Sequence, residues 1–257
     1  MTRPKPSSQK QPDLTIVIPA LHEEKRIGRT LDALADFLKH DNFFKRKDVE
    51  VLVVGADTSD RTHAIVLEKR PLFRQLKLLK PGRPVGKGYD VQYGMLRASG
   101  KIIVFMDADL ATPLHHLEKF YTSCKEGSDV AVGTRNLFVY RPSMARRFAS
   151  FAGNILFRIA GGIWIEDSQC GFKMFTSRAA KLCFSRLTIM GWGFDMELLA
   201  IAKANRLKIY SYRVDDWRDV PNGTFTDGIL RIAARSLVDM GHIVSNRVRG
   251  AYFDNDA

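Results

Sequence analysis

The pattern that most restricts this chain is the alternation of short apolar runs with amphipathic stretches in its first half. Leu14-Thr-Ile-Val-Ile18 has strand length and is closed by Pro19; Ile27, Leu31, Leu34, Ala35 and Leu38 then recur at helical spacing. Val49–Val54 reads as a second strand, 60–70 as a helix and Gln75–Leu79 as a third strand. Residues 86–99 have helical spacing and end at Gly100, a C′ residue, and 101–106 form a fourth, strongly apolar strand. Thr112-Pro113 carries the signature of a helix start, Gly127 would stop that helix, and 129–133 is a further strand. Strands joined by helices in this way imply βαβ units and a mostly parallel sheet, flanked by helices on both faces.

Beyond Gly133 the pattern turns helical. Met144, Phe148, Phe151, Ile155 and Ile159 form one stripe, with Arg147, Ser150, Asn154 and Arg158 opposite. Helices are expected at 177–184, 194–205 and 227–247, with a strand at 208–214. The organisation expected is a flexible polar arm over 1–12 and a single domain over 13–257. Residues 13–135 form one half of that domain, and 136–257 a helical half.

Composition narrows the partners. With 40 Lys+Arg against 28 Asp+Glu the chain carries a formal charge of +12, which admits nucleic acid, an anionic membrane or a phosphorylated substrate. Cys124, Cys170 and Cys183 are too few and too widely spaced for a disulfide scaffold or a cysteine zinc site. The first dozen residues lack the apolar core of a secretory leader. The longest apolar stretch, 151–165, is interrupted by Arg158 and falls short of a membrane span. A cytoplasmic protein, in solution or on a surface, is the expectation.

The strongest chemical signal is Asp107-Ala108-Asp109, directly after the fourth strand. Ligands of α/β sheets sit beyond the carboxyl ends of strands. Two carboxylates two residues apart on an extended segment point the same way, which suits a hard divalent cation and its phosphates. Pro19-Ala-Leu-His-Glu-Glu follows the first strand in the same manner, and Gly86-Lys87-Gly88 opens a helix where backbone N–H groups and a cation meet a phosphate. Adjacent His115 and His116 are expected to face different directions on a helix. A nucleotidyltransferase and a non-catalytic basic binding module stay open on these residues alone, although the first usually has a Gly-rich loop where this chain has Pro19-Ala-Leu-His.

Taken together, these segments resemble the nucleotide-sugar-dependent GT-A glycosyltransferases, in particular the dolichyl-phosphate glucose and mannose synthases, from Thr15 to about Tyr252. The opening resembles V-I-P-A-Y-N-E-E-x-R-I, with Leu21 and His22 in place of Tyr and Asn. Asp167-Ser-Gln-Cys-Gly-Phe-Lys-Met-Phe-Thr176 is similar to the glucose-synthase D-T-Q-C-G-F-K-L-F-T, and Gly191-Trp-Gly-Phe-Asp-Met-Glu-Leu-Leu199 to W-A-F-D-x-E-L-L. One segment departs: the family's V-V-D-D-G-S-x-D, whose first acidic residues hold the donor base, reads Val53-Val-Gly-Ala-Asp-Thr-Ser-Asp60.

The resemblance implies inverting transfer of a hexose from a nucleoside diphosphate sugar, UDP-glucose foremost, to a polyprenyl or dolichyl phosphate. GDP-mannose and UDP-N-acetylhexosamine are the other donors. It implies Mg2+ or Mn2+ on Asp107 and Asp109, and a catalytic group of Asp167, Glu166 and Asp109. Donor contacts fall to Pro19, Ala20, Leu21, Glu23, Asp57, Lys87, Asp107, Ala108 and Asp109, with Asp57 or backbone groups taking over the base. Acceptor contacts fall to Arg135, Arg146, Arg147, Gln169 and Trp192. The basic stretch 130–165 would meet an anionic membrane on its cytosolic face, helped by a membrane-anchored partner protein, and nucleic acid is not expected.

Overall fold

Each apolar run of the first half is a strand, and all but the edge run Gln75–Leu79, where Leu76 alone is buried, are buried on both sides. The computed structural model describes residues 10–135, 170–218 and 229–253. The strands are β1 (Leu14–Pro19), β2 (Val49–Val54), β3 (Gln75–Leu79), β4 (Ile102–Met106), β5 (Val130–Arg135), β6 (Phe172–Thr176) and β7 (Ile209–Val214). The described helices are α1 (Ile27–His40), α2 (Thr62–Lys69), α3 (Lys87–Met95), α4 (His116–Lys125), α5 (Ser177–Ser185), α6 (Phe194–Ala204) and α7 (Ile229–Val248).

One seven-stranded sheet has the order β3-β2-β1-β4-β6-β5-β7. Successive residues point to opposite faces, and both faces are covered. Val17, Leu52, Val54, Ile103, Phe105 and Phe175 pack with α3, α5 and α6 on one side. Ile16, Ile18, Val53, Val104, Met106 and Met174 pack with α1 and α4 on the other.

The expected parallel sheet is present with one exception. β6 runs antiparallel to both β4 and β5, with Phe105 opposite Lys173. No strand is expected there from sequence, because Lys173 interrupts the apolar pattern. Its side chain is nonetheless wholly buried, and its ammonium donates to Cys170 O at 2.7 Å and to Asp195 Oδ1 at 2.5 Å.

α4 begins at His116 rather than beside Thr112-Pro113; a turn closed by His116 N donating to Pro113 O and Leu117 N to Leu114 O leads into it. Gly127, at φ +114°, follows the end of α4 in a conformation that residues with a Cβ rarely adopt. The arginine-flanked stripe over 144–159 lies outside the described residues. Among the described residues, no helix is long and apolar enough to cross a membrane.

Candidate active site

The parallel strands β1, β2, β3 and β4 all end on one edge of the sheet, and the charged residues collect there. Asp107 leaves the end of β4 and meets Lys87, the first residue of α3, with Nζ 2.6 Å from Oδ1. Lys87 is aimed by the glycines around it. A Cβ at Gly86 would sit 2.4 Å from Met190 O, and one at Gly88 would sit 2.7 Å from Ile189 O. The turn is therefore pressed against residues 189–190, and Tyr89 N donates to Met190 O. Lys87 Nζ also lies 4.9 Å above the Trp192 ring, which is half exposed.

Asp109 closes an Asx turn by accepting from Ala111 N at 3.0 Å, and Thr30 on α1 donates to Ala108 O. Leu110 and His22, just past the ends of β4 and β1, both hold positive φ, +55° and +56°. Each such residue costs roughly 1–2 kcal/mol, strain of a kind that collects at functional sites. Glu23 comes in from β1, with its Oε2 3.6 Å from Arg26 Nε and sealed from solvent.

The electrostatics follow from this crowding. Burial pushes Asp109 above the usual carboxylate range, helped by the neighbouring charge of Asp107 and only partly opposed by Ala111 N–H and Lys87. Glu23 is raised by burial and by Asp109 and Asp107, against the pull of Arg26 and Lys87. Burial disfavours the Lys87 ammonium, but Asp107, Asp195 and Asp109 outweigh it and hold Lys87 above the ordinary lysine value. Three carboxylates thus share two nearby cations, Lys87 and Arg26. Such a surplus of buried oxygen ligands fits a divalent cation.

Several residues that shape this site have no role assigned from sequence. Gly171 stands so close to Asp107 that a Cβ would lie 2.1 Å from Oδ2, which explains glycine in the Cys170-Gly171-Phe172 segment. Asp195 is raised by burial and held by Lys173, and it adds its field to Lys87. Glu197 accepts from Thr188 N, Thr188 Oγ1, Ile189 N and Tyr252 Oη at 2.6–2.9 Å, and so fixes the loop on which Lys87 rests. Their signal lies in the Gly171-Phe-Lys and Phe194-Asp-Met-Glu motifs, whose polar residues are buried.

The expected donor residues divide. Pro19 ends β1, buried Ala20 donates its N–H to Val54 O, and partly buried Leu21 follows. Asp57 is exposed, with its backbone N–H bonded to Gly82 O. Across the sheet, Arg135 at the end of β5 lies 5.1 Å from the Trp217 ring. His115 and His116 correct the expectation that they diverge. Their rings are 4.3 Å apart, and both reach Asp216, His116 Nε2 at 2.6 Å and His115 Nε2 at 3.2 Å. The carboxylate after β7 draws both rings to one side. Asp167, Glu166, Gln169, Arg146 and Arg147 lie outside the described residues.

Proteins of known structure share this fold, and others resemble the chain in sequence. Glucosyl-3-phosphoglycerate synthase from Mycobacterium tuberculosis, solved with Mn2+, uridine diphosphate and glucosyl-3-phosphoglycerate, superposes with TM-score 0.64 at 19% identity, covering 93% of this chain and 86% of that one. The mannosyltransferase PcManGT from Pyrobaculum calidifontis, solved with GDP-Man and Mn2+, gives 0.60 at 19% identity over 98% of this chain and 68% of its own. By sequence, dolichyl-phosphate beta-glucosyltransferase ALG5D of Trichomonas vaginalis is 31% identical over 236 residues, 86% of this chain and 70% of the relative. The Mus musculus dolichyl-phosphate beta-glucosyltransferase is 31% identical over 80% of this chain and 68% of its own. The profile of Glycosyl transferase family 2 matches residues 15–175, from the second residue of β1 to the last but one of β6, a span that includes Glu23, Asp107 and Asp109. A GT-A sheet with its carboxylates at that edge, and relatives of one named activity over most of its length, make this chain a glycosyltransferase belonging to glycosyl transferase family 2, alongside the dolichyl-phosphate beta-glucosyltransferases.

Proposed function

We propose that the chain transfers glucose from UDP-glucose to dolichyl or another polyprenyl phosphate, with inversion at the sugar carbon. The observation that carries this reading is the Lys87–Asp107 pair beside Asp109 and Glu23 at the end of β4. Breaking the sugar–phosphate bond leaves growing negative charge on a diphosphate, and cations fixed in a partly buried place stabilise it without reorganisation. Lys87 supplies one. Asp107 and Asp109 would hold the other, Mg2+ or Mn2+, which as a Lewis acid neutralises the same charge.

The acceptor makes a different demand. A phosphate monoester has a second pKa of about 6, so it is already largely ionised at neutral pH and needs orientation more than deprotonation. Asp167 with Glu166 takes the orienting role, and any base role is secondary. Arg135, Arg146 and Arg147 attract the phosphate, Gln169 and Trp192 complete the acceptor contacts, and Trp192 also lines the sugar site. Residues 13–135 form the donor half and 136–257 the acceptor half, whose basic stretch meets an anionic membrane on its cytosolic face. A membrane-anchored protein partner assists there.

The test is a panel of purified protein, Mg2+ or Mn2+, UDP-glucose, GDP-mannose and UDP-N-acetylglucosamine, each with a polyprenyl phosphate. Metal-dependent release of UDP with formation of a glucolipid is expected. Nucleoside diphosphate release with GDP-mannose alone reassigns the sugar, and no glycolipid from any donor overturns the reading.

A further inference from the structure

Asp90 has no part in the site described so far, yet it is placed at a cost. It lies in the first turn of α3 and is 3% exposed, and one of its oxygens is sealed from solvent without a hydrogen-bond partner. Burial alone raises its carboxyl, to about 6. Buried carboxyl groups are normally paired, so one left unpaired points to a partner that arrives later.

Its neighbours give its position. Gly94, one turn further on the same face of α3, abuts the sheet so closely that a Cβ would meet Val17 Cγ1 at 2.5 Å and Val54 Cγ2 at 2.6 Å. α3 starts at the sheet edge, where Lys87 meets Asp107, and runs back over the strands. One turn toward its start is roughly 5.4 Å. That is about two residues along a strand rising roughly 3.3 Å per residue. Asp90 therefore stands over the ends of β1 and β2, near Pro19 and Ala56.

Those strand ends bring no polar side chain of their own. Pro19 and Ala20 close β1, Gly55 and Ala56 close β2, and the space a side chain at 55 would need is taken by His63, whose Nε2 would lie 2.7 Å from that Cβ. A nucleotide whose diphosphate sits at Asp107 and Lys87 has two directions in which to lay its base. Toward β6, Gly171 is already pressed against Asp107. Toward β1 and β2 it reaches Asp90.

We infer that Asp90 reads the donor's base, its carboxylate accepting the ring N–H of uracil (N3–H) or guanine (N1–H). The inference rests on the proposed reading that the donor is a nucleoside diphosphate sugar. Cytosine and adenine present a ring acceptor at that edge, which a carboxylate repels.

Calorimetric titration of the full chain with Mn2+ and, in turn, UDP, GDP, CDP and inorganic pyrophosphate tests it. The wild type is expected to bind UDP or GDP at least roughly tenfold more tightly than CDP. Asp90→Ala and Asp90→Asn should lose roughly tenfold or more for that nucleotide, bring it to within about twofold of CDP, and leave pyrophosphate unchanged. Both variants should melt no lower than the wild type at pH 8, because each removes a buried charge, and this shows they are folded. Unchanged nucleotide affinity in both variants, equal losses for nucleotide and pyrophosphate, or a wild type that does not distinguish CDP overturns the role of Asp90 alone. A wild type that binds neither pyrophosphate nor any nucleotide overturns the proposed function itself.

Discussion

The ends of β4 and β2 occupy equivalent places on the sheet edge and are furnished in opposite ways. At β4, Asp107 and Asp109 converge with Glu23 on Lys87, and burial raises both Asp109 and Glu23. At β2, Gly55 and Ala56 have no polar side chains, and His63 fills the space beside Gly55, its Nε2 3.1 Å from Gly55 O. A strand end in an open α/β sheet is thus only an address for a ligand. What binds there depends on which side chains, from that strand or from a neighbouring helix, are delivered to it.

The largest effect is expected at the charged end. Asp109→Asn should lower turnover by roughly 10²–10³-fold at any metal concentration, read as nucleoside diphosphate release across a metal titration. Unchanged turnover would remove Asp109 from the proposed metal site and make the two strand ends alike. Lys87→Met should cost roughly 10–100-fold in kcat, because the leaving diphosphate loses its fixed cation while the fold survives. A change confined to KM would make Lys87 a ground-state contact.

Gly171→Ala probes the same end through packing. The added methyl would sit 2.1 Å from Asp107 Oδ2, so Asp107 has to move. A displacement of about 1 Å near reacting groups costs up to roughly 10²-fold in rate, and overpacking costs about 1–3 kcal/mol of stability. At the bare end, Gly55→Asp should destabilise by about 1–3 kcal/mol, the new side chain meeting His63. His63→Ala in the same chain should recover most of that loss. Additive effects in this double-mutant cycle would show that His63 is not what keeps β2 bare.

Much of this is legible in the residues before any coordinates. β2 and β3 fall where their apolar runs predict, and α1, α3 and α6 start within a residue of the predicted helices, because apolar strands and amphipathic helices write their periods directly into the chain. Asp107, Asp109 and Lys87 are visible for the same reason: each stands at a strand end or helix start. β6 is not, since Lys173 reads as polar until Asp195, 22 positions away, is seen to neutralise it. Nor are the shared carboxylate of Asp216 or the need for glycine at 171, which depend on contacts 100 and 64 positions distant in the chain. Periodicity reports burial; it does not report which buried groups meet.

Asp60, the acidic residue that the β2 segment keeps, supplies the smallest and most specific test. Its carboxylate accepts from Thr58 Oγ1 at 2.8 Å, Thr62 N at 3.0 Å and Glu24 N at 3.3 Å, and Thr62 Oγ1 in turn accepts from Glu23 N at 2.9 Å. Burial works to raise Asp60, but these hydrogen bonds prevail and hold it at about 2. A folded value below the unfolded one means stability that is present above pH 3.8 and lost as pH falls from there through about 2. Solvent screening reduces the contribution to about 1 kcal/mol. Asp60→Asn should therefore lower stability by about 1 kcal/mol near neutral pH, with the deficit closing as the buffer is taken toward pH 2 in denaturant melts. Because the bonds tie the loop after β1 to the start of α2, turnover at saturating substrate should change far less than in the Asp109 variant. Parallel unfolding curves for the two proteins at every pH would show that this carboxylate latches nothing. A large loss of turnover would instead place the β2 end in the chemistry, and the contrast with β4 would fall.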